Sequence, residues 1–104
     1  MSLKLPPIES EKVSPGLEPY VLEFFTDRKN ELEKLKSNIE QEKYEITRSV
    51  AHNWKGFCEP YGFDGLGVLS EALEVAAASS DSNLCDSILN QIEVYLGQKA
   101  QLLD

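Results

Sequence analysis

The sequence predicts an all-α protein, an up-and-down antiparallel four-helix bundle behind a flexible N-terminal arm, and three observations carry that reading. Apolar residues recur at helical spacing in four separate stretches. No segment shows the two-residue alternation of a half-buried strand, and the breaks between the stretches are short, as in a bundle. At 104 residues, with 41% apolar and 27% charged side chains, the chain is one small domain of ordinary globular composition.

Residues 1–16, with three prolines and a glycine and no sustained period, read as an extended or disordered arm. The bundle occupies 17–104. A first helix runs from Leu17 to about Gln41, with Val21, Phe24, Phe25, Leu32, Leu35 and Ile39 on one stripe and Pro19 in its first turn or a turn before it. Arg28 projects near the centre of that stripe. Either its stem packs while its head reaches water, or it forms an ion pair that orients a neighbouring helix.

A second helix begins near residue 42 and reaches Cys58 or Glu59, because Pro60 removes a donor and crowds the Gly56 carbonyl. At roughly 100° per residue, Ile46, Val50, Trp54, Phe57 and Tyr61 fall within an arc of about 80°, which predicts its core face, and Ala51 and Cys58 widen it on one side. Gly62 is the stop or turn residue. A third helix, 63–78, turns Phe63, Leu66, Leu69 and Leu73 inward, with Gly65, Ala72 and Ala76 allowing a close approach and Asp64, Glu71 and Glu74 facing out. The segment 79–82 supplies N-cap candidates for a fourth helix, about 82–101, which buries Leu84, Ile88, Leu89, Ile92, Tyr95 and Leu96 and brings Leu102 inward.

The formal charge of −8 argues against a nucleic-acid surface. No apolar run is long enough for a membrane span and no leader pattern is visible, so the expected place is the cytoplasm, with no membrane partner. Cys58 and Cys85 lack CxxC spacing and read as two reduced, partly buried thiols. With a single histidine, a metal site is not expected.

That histidine, His52, falls opposite the predicted core face of the second helix, in a region whose charges balance on an acidic molecule. One turn away stand Arg48 at i−4, Lys55 at i+3 and Gly56 at i+4. An exposed imidazole beside two cations and a missing side chain is suited to hold a phosphoryl group. A glycine inside a helix costs about 1 kcal/mol against alanine, so Gly56 asks for a reason. Trp54 reads as core rather than as a stacking platform.

These residues resemble the motif of the histidine-containing phosphotransfer domains of two-component phosphorelays. The motif stands here as His52-Asn53-Trp54-Lys55-Gly56 with Tyr61-Gly62, and Phe63, Asp64, Leu66, Leu69, Leu73 and Glu74 continue it into the next helix. The resemblance spans about 17–97. It departs from the family at Phe57, Cys58 and Glu59, followed by Pro60, where small residues are usual. The resemblance implies a phosphocarrier rather than a classical enzyme, with His52 the phosphoacceptor, Lys55 and Arg48 supporting it and Gly56 leaving room for a partner. It implies a response-regulator receiver domain and a hybrid or separate sensor histidine kinase as partners, no intrinsic cofactor, Mg²⁺ supplied by the receiver, and a monomer. No phosphate-binding glycine loop for ATP is present. The alternative is a helical adaptor that docks a receiver or kinase without carrying phosphate.

Overall fold

The computed structural model describes residues 4–103; Met1 to Leu3 of the predicted arm, and Asp104, lie outside the described residues. Among these, all regular structure is helical: four long helices, α1 (Val21–Glu40), α2 (Tyr44–Phe57), α3 (Asp64–Ala78) and α4 (Ser82–Leu102), and three single 3-10 turns at Ile8–Ser10, Glu18–Tyr20 and Glu59–Tyr61. Each boundary has a local cause. Pro19 sits in the turn before α1, and Pro60 ends α2 as its missing N–H predicts. Gly62 takes the left-handed conformation, φ 80°, that turns the chain into α3. The Asp81 carboxylate caps α4 by accepting the Leu84 N–H at 3.0 Å.

The helices surround one core. Leu35 and Ile39 from α1, Trp54 from α2, Leu66, Leu69 and Leu73 from α3, and Ile88, Leu89 and Ile92 from α4 are almost wholly covered. Tyr95 packs so closely on α3 that a Cβ on Gly65 would lie 2.5 Å from its ring, so the small-residue edge of α3 does allow a close approach at that point.

The buried face of α2 differs from the predicted one. Thr47, Ala51, Trp54 and Cys58 are buried, whereas Ile46 is 50% exposed and Val50, Phe57 and Tyr61 are only half-buried. The face is therefore turned by roughly 70° about the helix axis. α2 packs far more closely on α3 than on α1, and the short side chains of Thr47, Ala51 and Cys58 permit that approach. The bulky apolar residues are left along the looser seam with α1. Leu102, expected inward, is 55% exposed in the last turn of α4.

The described part of the arm is extended apart from the 3-10 turn at Ile8–Ser10 and a turn at Pro15 and Gly16, and it is fastened. Leu5, Ile8 and Val13 pack on the core, the Ser14 N–H donates to the Pro60 carbonyl, and the wholly covered Glu11 carboxylate pairs with Lys99 at 3.0 Å. The arm is thus a strap across the α2–α3 turn rather than a loose tail. Arg28 packs its stem as expected, but its head does not reach water, and its ion pair is with its own helix. Its stem is buried, its Nε lies 2.7 Å from Glu31 Oε1, and its guanidinium carbon lies 4.7–5.7 Å from the ring centroids of Phe24, Phe57 and Trp54. The same Glu31 oxygen accepts the Trp54 indole N–H at 3.0 Å, which ties α1 to α2.

Candidate functional site

His52 lies two-thirds of the way along α2, a helix whose inner face is held against α3. Its ring is 64% exposed, as the polar phase of the helix requires. Lys55, one turn on, is partly exposed on the same side. Gly56 completes the trio, and nothing lies within 4 Å of where its Cβ would sit. Packing therefore gives no reason for a glycine, and its effect is to leave the surface beside the imidazole open.

Arg48 does not join the group. Its guanidinium turns back to Glu45, three residues earlier, at 2.9 Å. The residue that does join was expected to face away. Glu74 of α3 is only 20% exposed; Oε2 lies 2.9 Å from His52 Nδ1 and Oε1 lies 3.0 Å from Lys55 Nζ. The Lys55 hydrogen bond, and after it the His52 one, hold the Glu74 carboxyl below its usual range, against the opposing effect of burial.

No family model matches the chain, and no curated protein and no solved structure matches it.

The geometry at His52 has a definite chemical reading. An ionised carboxylate can only accept hydrogen bonds, so Nδ1 must be the donor in the contact with Glu74. That places the proton of the neutral imidazole on Nδ1 and leaves the Nε2 lone pair free and directed to solvent. Glu74 also offers a counter-charge to any positive charge that develops when Nε2 forms a bond. Lys55 has three N–H donors and uses one of them on Glu74, so the other two remain available to an anion near the ring. The arrangement can therefore present a nucleophilic nitrogen of fixed tautomer beside a cation. Among the described residues, no group of three or more His, Cys, Asp or Glu side chains is placed to hold a metal ion, and no helix is long and apolar enough to cross a membrane.

The motif positions His52, Lys55 and Gly56 are brought together, and Arg48 is not. Glu74 was visible as part of the α3 pattern but not as a partner of His52. Level with His52 across the 58–63 connection stand residues at about 69–70, and both Glu71 and Glu74 lie within about a turn of that point. Only the rotation of α3 decides between them.

Proposed function

We propose that the protein is a histidine phosphotransfer protein that carries a phosphoryl group on His52 between the aspartates of receiver domains. The observation that carries the proposal is the Nδ1 contact with Glu74 at 2.9 Å on an imidazole that is otherwise open to solvent. In this reading the Nε2 lone pair attacks the phosphorus of an aspartyl phosphate in line, the N–P bond forms as the O–P bond breaks, and the receiver carboxylate leaves. Glu74 balances the positive charge that the ring gains. Lys55 contacts the equatorial oxygens, where a loose transition state spreads its charge. The open surface at Gly56 accommodates the partner's loops, and the receiver brings the Mg²⁺ and its acidic residues. Arg48 is left with no role beyond its pair with Glu45.

The same reading takes the helices as an up-and-down antiparallel bundle. Short connections join successive helices, and an early residue of α1 meets the end of α2, as in Phe24 with Phe57. It also puts the protein in the cytoplasm, where receivers and the catalytic domains of their kinases work, as a monomer.

The test is transfer from a panel of phosphorylated receivers of the same organism. Wild-type protein is expected to take up an acid-labile, base-stable label that His52→Gln does not. If no receiver or kinase labels the wild type, the phosphotransfer reading is wrong and the adaptor reading, in which the bundle docks without carrying phosphate, takes its place.

A further inference from the structure

The seam between α1 and α2, on the far side of α2 from Glu74, is open as a cleft of about 290 Å³. Its walls are the rings of Tyr20, Phe24, Phe57 and Tyr61 together with the mostly buried Arg28 side chain, and Phe24 and Tyr61 are stacked at 4.3 Å between centroids. Tyr20 is 56% exposed, and Phe57 and Tyr61 are half-buried. Two exposed carboxylates, Glu23 and Asp27, line the same cleft, and neither makes an ion pair among the described residues. The adjoining depression between the helices is lined by Glu31, Val50, Asn53, Trp54 and again Phe57.

The inner layer of this seam already shows what the side chains bind. Arg28 lies with its guanidinium carbon 4.7 Å from the Phe24 centroid and 5.0 Å from that of Phe57, and is neutralised by Glu31. An outer layer of the same composition, rings with free carboxylates, lies next to it and faces solvent. Three carboxylates against one guanidinium leave the seam with an excess of two negative charges. A ring face attracts a cation electrostatically, and an unpaired carboxylate beside it adds a directed hydrogen bond. A neutral apolar partner would leave Glu23 and Asp27 to be covered without a counter-charge, which disfavours it.

We propose that this cleft is a docking site for an arginine side chain of a protein partner, stacked on Phe57 and Tyr61 and paired with Glu23 and Asp27. The site does not depend on His52. Phe57 and Pro60, where the sequence leaves the phosphotransfer pattern, are what build its α2 wall: Phe57 supplies a ring where that pattern has a small residue, and Pro60 turns Tyr61 toward Phe24.

The test is a ¹⁵N chemical-shift titration of the whole protein with a short peptide carrying two arginines, repeated with the same peptide carrying citrulline, which keeps the shape and removes the charge. Shifts confined to the amides around Tyr20, Asp27, Phe57 and Tyr61 are expected, with the citrulline peptide silent. Both Tyr20→Ala and the double change Glu23→Gln with Asp27→Asn should weaken binding about fivefold or more, while Glu40→Gln with Glu42→Gln leaves it unchanged. Shifts spread evenly over the acidic surface, equal binding of the citrulline peptide, no binding at all, or indifference to these changes would each overturn the proposal.

Discussion

Two clusters in this molecule are built from the same parts. In each, one glutamate is shared between a lysine and a ring: Glu74 with Lys55 and the His52 imidazole, and Glu11 with Lys99 and the Tyr95 phenol. They differ in how completely the polar atoms are used. The Glu11 carboxylate is wholly covered and accepts from the Gly65 N–H at 2.7 Å, from the Tyr95 hydroxyl at 2.7 Å and from Lys99 at 3.0 Å. Lys99 in turn donates to the Gly62 carbonyl at 2.7 Å and lies over the Phe63 ring. Burial first, and then the Glu11 carboxylate, push the Tyr95 phenol upward, so it stays protonated and donating. That cluster is closed and holds the strap to the α2–α3 turn. The Glu74 cluster keeps Nε2 of His52 and two protons of Lys55 unspent at the surface. Saturation makes the one structural, and its absence makes the other available for chemistry.

The largest expected effect follows from breaking the closed cluster. Glu11→Ala leaves the buried Lys99 ammonium with a single carbonyl partner, and removing one member of a buried pair costs about 3–5 kcal/mol. Urea unfolding should show that loss, and limited proteolysis should cut the strap first. A change below about 1 kcal/mol would mean that water replaces Glu11 and that the strap is not held as described. The matching change at the surface, Glu74→Gln, should leave the urea midpoint nearly unchanged, because its partners His52 and Lys55 keep their access to water. It should instead slow label uptake by His52 on the order of tenfold, as removal of a group that orients a reactive imidazole does. Unchanged uptake would leave Glu74 as a bystander.

The contrast also explains what could be read from the sequence. The four helices, their stops at Pro60 and Gly62, and the exposure of His52 follow from local chemistry and were legible. The rotation of α2 was not, because a helical wheel weights Ile46 and Phe57 by size, while the fold seats the small Thr47, Ala51 and Cys58 at the tight α3 contact. Glu74 and Glu11 escaped for a related reason. Their partners lie 22 and 88 residues away in sequence, and the pairing depends on helix rotation and on where an apparently featureless arm comes to rest. Arg48 and Lys55 both stand one turn from His52 in the sequence, with Lys55 the stronger candidate, and Glu45 on the same helix is within reach of Arg48 and takes it.

Gly56→Ala separates fold from function at intermediate magnitude. The added methyl meets nothing within 4 Å, so the helix should gain up to about 1 kcal/mol from the higher propensity of alanine. The urea midpoint should rise while transfer from a receiver falls, since the methyl intrudes only on the partner. A stabilised variant with undiminished transfer would show that the open surface beside His52 is not used.

The smallest effect is read at Glu74 itself. Its carboxyl lies below its usual value of 4.5, with the Lys55 hydrogen bond the largest cause and the His52 one smaller. A depressed carboxyl contributes stability that is present above the unfolded value and lost as pH falls through the folded one. The two pairings should therefore persist from neutral pH down to about 4.5 and dissolve below it. A ¹³C titration of the Glu74 carboxyl should place its midpoint below 4.5 in the wild type. Lys55→Met should move the midpoint up by more than His52→Gln does, because the Lys55 hydrogen bond is the larger of the two causes. Were the order reversed, the imidazole rather than Lys55 would be the main partner, and the lysine would be free to spend all three of its protons on the phosphoryl group.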